Sequence, residues 1–409
     1  MTTPEPDVRR VREATVVKAG TVAASLSRTS DGVVFRYEPS YLAAGGPPVA
    51  TTLPLTDEPV LTPGRSVPPF FANLLPEGRR LTALRRHVKT SADDDMTLLL
   101  ASGADPVGDV QVLPTGADAA DADPTATAPA LDPVDSWADL DFGDLLRRAG
   151  VGDPSSLAGV QDKASGRMLT LPLAWRDRTV LLKFEVPEHP HVVENEAWFL
   201  HRARRLRHPV VRAEVVHDRT GRPGLLVTRF DRRVGTDGTL TRLAVEDGAQ
   251  LLGRYPADKY AVSTEEVAER LAAVCGAPLV ALRQLLIQVV YAWLTGNGDL
   301  HAKNVSVLRA DGEWRTAPVY DVPATVCYGD DTMALPVGGR LDGLSRRSFL
   351  ELGSSVGLPA RAVGSVLDHV LGVTAGMVEE LAAGAVPLDQ FRRTRLVRTL
   401  RHRRRSLEG

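Results

Sequence analysis

Residues 115–135 divide the chain into two parts that must fold around separate cores. The segment reads T-G-A-D-A-A-D-A-D-P-T-A-T-A-P-A-L-D-P-V-D, and its only large apolar side chains are Leu131 and Val134. Such a stretch buries too little surface to offset the entropy lost on ordering, so it is interpreted as a flexible linker. The sequence therefore predicts a first domain over residues 1–114 and a larger domain over residues 136–409.

The first part has the pattern of a small α+β module. Strand-like runs occur at residues 14–17 and 32–37, with turn signals such as S-D-G between them. F-F-A-N-L-L-P-E-G-R-R at residues 70–80 begins a helical part, and D-V-Q-V-L-P returns to strand.

The second part runs from strands to helices. Two β-rich runs, T-V-L-L-K-F at residues 179–184 and G-L-L-V-T-R-F at residues 224–230, flank a segment with helical spacing at residues 195–206. Helical patterns dominate the rest of the chain. We therefore expect a β-rich N-lobe over about residues 136–232, an α-helical C-lobe over about 233–409, and a cleft between them.

Composition favours a cytosolic protein without a membrane partner. The first residues, M-T-T-P-E-P-D, lack the apolar core of a signal peptide, and no uncharged apolar run reaches the roughly 20 residues of a membrane span. The two cysteines, Cys275 and Cys327, have no metal-ligand spacing, which suits a reducing compartment.

Several polar residues directly follow the strongly apolar run L-L-I-Q-V-V-Y-A-W-L-T. They belong to G-N-G-D-L-H-A-K-N, residues 296–304, and charges beside a core are costly unless they are paired or bind something charged. Asp299, Asn304 and Asp321 follow the order of a phosphoryl-transfer set, in which an Asp accepts a hydroxyl proton and an Asn and a second Asp hold Mg²⁺. V-S-V-L after Asn304 and A-P-V-Y-D-V around Asp321 are predicted to be short strands that hold the two metal ligands.

Lys183 is the only charge inside T-V-L-L-K-F, so its side chain either reaches the surface or meets an anion. Glu196, at the start of the next helix, has the position of the acid that orients a kinase lysine toward ATP. Lys303 is expected either to neutralise the transferring phosphate or to pair with Asp299. His301 is expected to be a structural hydrogen-bonding residue.

Two further segments leave alternatives open. S-S-L-A-G-V-Q-D-K-A-S-G, residues 155–166, has the position of a phosphate-covering loop, with an ordinary turn as the alternative. The end of the chain is either a solvated basic helix or a patch for nucleic acid or an acidic partner. Its eight arginines are Arg392, Arg393, Arg395, Arg398, Arg401, Arg403, Arg404 and Arg405.

These motifs together resemble the HipA family of serine/threonine kinases, the toxins of bacterial toxin–antitoxin pairs. G-V-Q-D-K resembles the phosphate loop of the family, L-L-K-F its lysine strand, E-N-E-A-W-F-L its N-E helix and T-R-F-D-R its hinge. R-L-A-V-E-D-G-A-Q-L-L-G and G-D-L-H-A-K-N match two further family motifs, and Y-D-V stands where typical protein kinases have D-F-G. F-F-A-N-L-L-P-E-G and D-P-V-G-D-V-Q-V-L-P are similar to the N-terminal subdomain of the family.

The resemblance implies an α+β chain with a protein-kinase-like two-lobed fold, preceded by a small α+β HipA N-terminal subdomain. It implies Asp299 as the catalytic base, Lys183 as the ATP lysine, and Asn304 and Asp321 as Mg²⁺ ligands. The ATP-binding residues that it implies are Gly159, Val160, Gln161, Lys163, Lys183, Glu196 and Lys303, with the backbone of Thr228, Arg229 and Phe230 for the adenine. The implied autophosphorylation site is Ser156, with Ser155 beside it.

The family also implies partners: a small helix-turn-helix antitoxin, operator DNA reached through that complex with possible help from the arginine-rich C-terminus, and a protein substrate such as an aminoacyl-tRNA synthetase. A bacterial cytoplasmic location follows, with growth arrest and persistence as the outcome. Two alternatives are kept. Leu300 replaces the usual Gly, so D-L-H-A-K-N also resembles small-molecule phosphotransferases of the aminoglycoside type. The second alternative is an antitoxin-bound DNA corepressor with idle catalysis.

Overall fold

The computed structural model describes residues 7–116, 136–148, 168–175, 178–235 and 239–408. The predicted linker lies outside these residues apart from its first two positions, and the predicted phosphate loop at 155–166 lies outside them entirely.

The N-terminal domain is built on a five-stranded antiparallel sheet with strand order β4-β3-β2-β1-β5. Its strands are β1 Glu13–Lys18, β2 Thr21–Arg28, β3 Gly32–Tyr37, β4 Val60–Pro63 and β5 Val110–Pro114. Its helices are α1 Pro39–Ala43, α2 Pro69–Ala72, α3 Gly78–Val88 and α4 Asp95–Ser102. Phe35, Phe71 and Met96 lie in its core. The strands predicted at residues 14–17 and 32–37 are confirmed, whereas β2 and β4 were not predicted.

The N-lobe is a four-stranded antiparallel sheet of order β6-β7-β9-β8 with two helices. Its elements are α5 Phe142–Arg148, β6 Met168–Trp175, β7 Arg178–Glu185, α6 Val192–Ala203, β8 Ala213–His217 and β9 Pro223–Thr228. Successive side chains of a strand point to opposite faces of the sheet. Val180, Leu182 and Phe184 therefore enter the core against α5, while Leu181 and Lys183 face the cleft.

The connection to the C-lobe and the C-lobe itself contain five short strands and seven helices among the described residues. The strands are β10 Arg232–Val234, β11 Leu240–Arg242, β12 Val245–Asp247, β13 Ser306–Ala310 and β14 Glu313–Thr316. The helices are α7 Gly248–Leu251, α8 Thr264–Val274, α9 Pro278–Thr295, α10 Arg346–Ser355, α11 Ala360–Val373, α12 Met377–Ala382 and α13 Gln390–Glu408.

Helix α9 is the central helix of the C-lobe core. It is the one helix in the described ranges that is long and apolar enough to suit a membrane span, with a mean hydropathy of 1.3. However, 72% of it is buried inside the chain, and Leu286, Val290 and Trp293 belong to the main hydrophobic core. Packing within the lobe therefore accounts for its apolar character.

The prediction of a strand around Asp321 is wrong. Ser306–Ala310 is a strand as expected, but its partner is Glu313–Thr316 rather than the segment around Asp321. That segment makes only a single parallel bridge, between Val319 and Val210. Asp321 itself has a φ of 54°, in the left-handed region, which ends any extended run there.

The N-terminal domain docks on the larger domain through a buried group of charges, here called the hinge cluster. It consists of Asp105 from the N-terminal domain and Arg229, Asp231, Arg232 and Arg242 from the segment after β9 and its hairpin. Asp105 lies 2.6 Å from Arg229, 2.7 Å from Arg232 and 3.2 Å from Arg242. Burial alone would raise the pKa of Asp231, but the two neighbouring guanidinium groups outweigh it and hold that pKa at about 2.

Candidate active site

A cleft of about 380 Å³ lies between the two lobes, and the N-terminal domain forms one side of it. Its apolar wall comes from the N-lobe sheet and its polar floor from the loop after α9. Residues 73–77 and 105–107 of the N-terminal domain also line it. A space of this size with an apolar end and a few convergent polar groups is typical of a small-molecule or nucleotide site.

Lys183 lies at the centre of an ion-pair chain across the cleft. Its Nζ is 2.8 Å from the Glu196 carboxylate on α6 and 3.2 Å from the Asp321 carboxylate of the C-lobe. Glu196 is only 1% exposed, so its partner at neutral pH is this ammonium rather than water. The expected pairing of the strand lysine with the helix acid is present, and the structure adds Asp321 to it.

Burial and the ion pairs oppose each other in this chain. Burial lowers the pKa of Lys183, but Asp321 and Glu196 outweigh that effect and raise it above its ordinary value. The ammonium therefore stays protonated. Burial raises the pKa of Glu196 to about 7, although the Lys183 charge acts in the opposite direction.

Asn195 anchors the helix that carries Glu196. It is fully buried, its Nδ2 donates to the carbonyl of Ala324, and its Oδ1 accepts from the amide of Ala324 at 2.8 Å. This two-way contact fixes α6 against the segment that follows Asp321. The family motif N-E quoted from the sequence contains this residue, but only Glu196 was given a role.

Two glycines allow the sharp turn after α9. Gly296 ends the helix with a φ of 69°, and a Cβ there would come within 2.7 Å of Val326. A Cβ on Gly298 would come within 2.5 Å of the carbonyl oxygen of Thr332. Both contacts are shorter than real side chains tolerate, so the G-N-G sequence is required for the loop to pass this close to its neighbours.

Asn297 links the two acidic residues of the site. Its Oδ1 accepts a hydrogen bond from the amide of Asp299 at 2.8 Å, and its Nδ2 donates to the carbonyl of Asp321 at 3.5 Å. It is fully buried. Asn297 lies within the motif G-N-G-D, but no function was predicted for it from the sequence.

Tyr260 holds the carboxylate of Asp299, and the ring of His301 lies next to both. The Tyr260 hydroxyl donates to Asp299 Oδ1 at 2.9 Å, and His301 Nε2 lies 3.9 Å from the same oxygen. Burial, with a smaller effect from Lys259, lowers the pKa of His301 to about 4, so its ring is neutral at physiological pH. His301 is buried and stacks edge-on against Tyr260, but its Nδ1 has no hydrogen-bond partner among the described residues and its Nε2 is too far from Asp299 for a hydrogen bond. The expectation that its side chain is a hydrogen-bonding residue is therefore not met in this structure.

Asn304 and Asp321 present oxygens of the type that Mg²⁺ prefers. The Nδ2 of Asn304 donates to the carbonyl of Asp299 at 2.8 Å, which leaves its Oδ1 as the atom able to bind a metal. In the described ranges, no group of three or more His, Cys, Asp or Glu side chains is arranged to hold a metal ion. Mg²⁺ in phosphoryl-transfer sites is bound by one or two side chains plus phosphate oxygens and waters, so the pair fits it.

Backbone groups of the segment from Thr228 to Phe230 are only partly available. The amide of Thr228 donates to the carbonyl of Arg212 at 2.9 Å, and the amide of Arg229 donates to the carbonyl of Thr179 at 3.1 Å. The Arg229 side chain belongs to the hinge cluster. The expectation that this whole segment holds the adenine is therefore restricted to its remaining backbone groups.

The apolar end of the cleft next to this segment comes from residues that were not predicted. They are Pro172, Leu181, Val211 and Val227. Phe230 lines the same cleft, and its ring stacks on Tyr320 with the centroids 5.6 Å apart.

Lys303 makes contacts that differ from both expectations for it. Its Nζ donates to the carbonyl oxygen of Asn73 at 3.1 Å, to the Oδ1 of Asn73 at 3.0 Å and to Asp247 at 2.7 Å. An ammonium has three donors, and these acceptors use all of them. Lys303 therefore neither pairs with Asp299 nor has an N–H left for a phosphate oxygen in this arrangement.

The remaining predicted phosphate-loop and modification residues cannot be compared with the structure. Gly159, Val160, Gln161, Lys163, Ser155 and Ser156 all lie outside the described residues.

The arginine-rich C-terminus is a packed helix rather than a free basic surface. Arg403 of α13 is 2% exposed, lies 4.1 Å over the ring of Trp293 and donates to the carbonyl of that residue. Arg395 pairs with Asp331. The exposed arginines of α13 are Arg398, Arg401 and Arg405. The helix expected here is present, but only part of it is solvated, and the patch for nucleic acid or an acidic partner stays a prediction.

The fold and the site together define a protein-kinase-like class: a β-rich lobe with a lysine–glutamate pair, an α-rich lobe with an Asp–Asn loop, and a cleft between them. Comparison with known proteins gives the family. Residues 14–113 match the model of the HipA N-terminal domain, and residues 155–377 match that of the HipA-like C-terminal domain. The chain belongs to the HipA family.

Two curated relatives match this chain over most of its length. "Putative kinase Y4mE" of Sinorhizobium fredii is 30% identical over 358 residues, 81% of this chain and 83% of that protein. The serine/threonine-protein kinase toxin HipA of Shewanella oneidensis is 25% identical over 403 residues, 90% of this chain and 88% of that protein. A chain of the solved complex of HipA, HipB and operator DNA from Shewanella oneidensis MR-1 superposes with a TM-score of 0.75 at 22% identity, covering 97% of each chain, which supports the fold.

Proposed function

We propose that this chain is an ATP- and Mg²⁺-dependent serine/threonine protein kinase that acts as the toxin of a toxin–antitoxin pair. The observation that carries the proposal is the convergence of Lys183, Asp299, Asn304 and Asp321 on one cleft, although they are spread over 139 positions of the chain. Their types match the parts that phosphoryl transfer uses. The names of the two curated relatives support the same activity.

Each polar residue has a separate task in the proposed reaction. Lys183, held by Glu196, binds phosphate oxygens of ATP. Asn304 and Asp321 hold Mg²⁺, which neutralises the charge on the phosphates. Asp299 accepts the proton of the acceptor hydroxyl while Tyr260 keeps its carboxylate oriented.

Control of this kinase by its own phosphate loop is the finer part of the proposal. We assign Gly159, Val160, Gln161 and Lys163 to contacts with the phosphates, and Ser156, with Ser155 beside it, to autophosphorylation. The support for these roles is the resemblance of G-V-Q-D-K to the family loop. A phosphoserine carries a charge of nearly −2, so it would repel the ATP phosphates and favour release of the loop.

The proposed partners follow from the relatives. The solved complex that this chain resembles contains HipB and operator DNA. We therefore propose a helix-turn-helix antitoxin as partner, operator DNA reached through it, and a protein substrate such as an aminoacyl-tRNA synthetase in the bacterial cytoplasm. Any direct contribution of α13 to DNA binding falls to Arg398, Arg401 and Arg405, since these three arginines are exposed.

Transfer of labelled phosphate tests the activity. Purified wild-type chain, incubated with Mg²⁺ and γ-³²P-ATP, should label itself or an added protein. Asp299→Asn should reduce the rate by roughly 10²- to 10⁴-fold because the general base is lost. Asp311→Asn is a matched control: this carboxylate is exposed on the β13–β14 turn, so the rate should change by less than about twofold.

The same samples separate the alternatives. Labelling of an aminoglycoside but of no protein would show a small-molecule phosphotransferase. Growth arrest that persists when Asp299→Asn is expressed without antitoxin would show that toxicity does not come from phosphoryl transfer, as for a corepressor with idle catalysis. Mass spectrometry of the labelled wild-type chain should find phosphate on Ser156 or Ser155, and labelled chain without it would contradict the autophosphorylation site.

A further inference from the structure

The N-terminal domain reaches the catalytic loop directly through one short segment. Residues 73–77, here called the clamp segment, join α2 to α3 and line the cleft beside Asp299 and Asn304. Nothing in the chemistry of phosphoryl transfer requires a second domain at this place. Its contacts therefore need an explanation of their own.

Asn73 makes the first of two contacts with the catalytic loop. Its Nδ2 donates to the carbonyl of Pro69 in its own domain and to the carbonyl of Arg254 in the C-lobe, both at 2.8 Å. Its Oδ1 and its backbone oxygen both accept from Lys303. The Oδ1 of Asn73 thus joins the N-terminal domain to Lys303, the residue before Asn304, and its Nδ2 joins that domain to Arg254.

Glu77 makes the second contact, which reaches the loop through Lys259. Its carboxylate pairs with the ammonium of Lys259, a residue that is only 3% exposed. The carbonyl of Lys259 accepts from the amide of Ala302 at 3.2 Å, and the next residue, Tyr260, holds Asp299. Each contact is therefore one residue away from a group that performs chemistry.

The loop is also tightly enclosed where it meets α7. A Cβ on Gly248 would come within 2.7 Å of the carbonyl oxygen of Ala302, and Asp247, the capping residue of α7, takes the third donor of Lys303. The close neighbours of Ala302 and the three acceptors of Lys303 therefore fix the position of this loop. Replacing Asn73 by Ala would remove its Oδ1 but keep its backbone oxygen, so the half-buried ammonium would lose one of its three close acceptors. An unsatisfied donor there is costly, so the ammonium should shift toward Glu77, 3.7 Å away, and the loop should move with it.

We propose that the clamp segment of the N-terminal domain is a positioning device for catalysis: Asn73, acting through Lys303, holds the loop from Asp299 to Asn304 in its working geometry. Lys303 then serves as an internal anchor rather than as a phosphate ligand. The kinetic consequence of this inference rests on the proposed kinase activity, whereas the contacts of the clamp segment are independent of it. It makes the N-terminal domain part of the active site.

The kinetic test compares variants of the full chain. Asn73→Ala and Lys303→Met should each lower kcat about tenfold, the effect of about 1.4 kcal/mol of lost positioning, while the Kd for Mg·ATP changes by less than about twofold. Because both variants remove the contact between Asn73 and Lys303, their effects should not add: the double variant should be slower than Lys303→Met alone by much less than tenfold. Arg79→Gln is the matched control, since it removes another contact between the N-terminal domain and the N-lobe, the 2.8 Å pair with Glu188, and should leave kcat unchanged.

Three kinetic results would overturn the proposal. One is a tenfold or greater weakening of Mg·ATP binding by Lys303→Met, which would make Lys303 a phosphate ligand. Another is strict additivity in the double variant. The third is an equal loss of kcat in Arg79→Gln, which would show only general destabilisation of the domain contact.

Hydrogen exchange gives a readout that does not depend on activity. Peptides covering residues 296–305 should take up deuterium faster in Asn73→Ala than in the wild type, and at the wild-type rate in Arg79→Gln. Unchanged exchange in Asn73→Ala would refute the clamp even if the chain proved to be an active kinase. Faster exchange would support it even if no phosphate transfer were found, in which case only the proposed function would fail. If Asn73→Ala does not fold, Lys303→Met is measured in its place with the same two outcomes.

Discussion

Replacing Glu196 by Gln should separate activity from stability. Glu196→Gln keeps the shape of the side chain but removes the charge that holds Lys183 at 2.8 Å. The ammonium keeps its contact with Asp321 and should shift toward it. A hydrogen bond between charged groups contributes about 1.5–3 kcal/mol, and each 1.36 kcal/mol is a factor of ten in rate, so kcat/KM should fall about 10- to 100-fold.

The effect of the same substitution on stability should have the opposite sign. The pKa of Glu196 is raised from 4.5 to about 7, so the folded state binds a proton more tightly than the unfolded state. Carrying the negative charge at pH 8 therefore costs the folded state up to about 3 kcal/mol relative to a neutral side chain. We expect the unfolding free energy of Glu196→Gln at pH 8 to equal or exceed that of the wild type.

Two measurements on one preparation test this prediction. Initial rates of phosphate transfer at varied Mg·ATP give kcat/KM, and urea unfolding at pH 8 gives the stability. The control is Glu194→Gln on the same helix. The carboxylate of Glu194 lies 3.9 Å from His191 and has no pair with Lys183, so this variant should change kcat/KM by less than about twofold. Unchanged activity in Glu196→Gln, or an unfolding free energy at pH 8 clearly below that of the wild type, would refute the reasoning.

Three further substitutions test the structural roles assigned to buried charges. Arg403→Ala should lower the unfolding free energy by about 2–4 kcal/mol because it removes a buried guanidinium stacked on an indole. Arg401 is exposed, so Arg401→Ala should change the unfolding free energy by less than about 0.5 kcal/mol. Equal losses for the two variants in urea unfolding would contradict this prediction. Asp105→Ala should lower the unfolding free energy by about 3–5 kcal/mol because it leaves three arginines without this partner. The control, Asp57→Ala, changes an exposed residue and should leave the unfolding free energy nearly unchanged. No loss of stability in either variant would show that the hinge cluster does not stabilise the fold. Burial lowers the pKa of His208 from 6.5 to about 4, so the stability that its neutral ring contributes is present above pH 6.5 and is lost as the pH falls toward 4. Between pH 7.5 and 5 the unfolding free energy of the wild type should therefore fall by about 2 kcal/mol more than that of His208→Gln. Parallel pH profiles of the two proteins would contradict a neutral buried ring.

The parts of the site that lie in strong local patterns could be predicted from the sequence. The run T-V-L-L-K-F is β-rich with one charge, so its strand character and the unusual position of Lys183 were both visible. The five-residue spacing from Asp299 to Asn304 is local to one loop, and the glycines before it mark the turn. Local patterns of this kind depend on few residues and survive folding unchanged.

The contacts of the clamp segment with distant parts of the chain could not be predicted. Asn73 and Lys303 are 230 positions apart, and neither residue type at either position indicates the other. Lys303 was therefore given a phosphate or Asp299 as its partner, because these were the only anions near it in the sequence. Its actual partners come from a different domain and from the capping residue of α7.

Two features of the structure have local physical causes that the sequence pattern did not reveal. The apolar alternation around Asp321 suggested a strand, but the left-handed backbone of Asp321 interrupts it and only Val319 forms a bridge. The dense arginines of α13 suggested a solvated or anion-binding surface. Leu396, Leu400 and Leu407 give that helix a buried face, and Arg403 lies on that face with its charge over an aromatic ring.

Crystals grown with Mn²⁺ and a non-hydrolysable ATP analogue test the central claim most directly. Anomalous scattering should locate the metal about 2.1 Å from side-chain oxygens of Asn304 and Asp321, with Lys183 in contact with a phosphate of a single nucleotide in the cleft. Metal or nucleotide bound away from these three side chains would contradict the account.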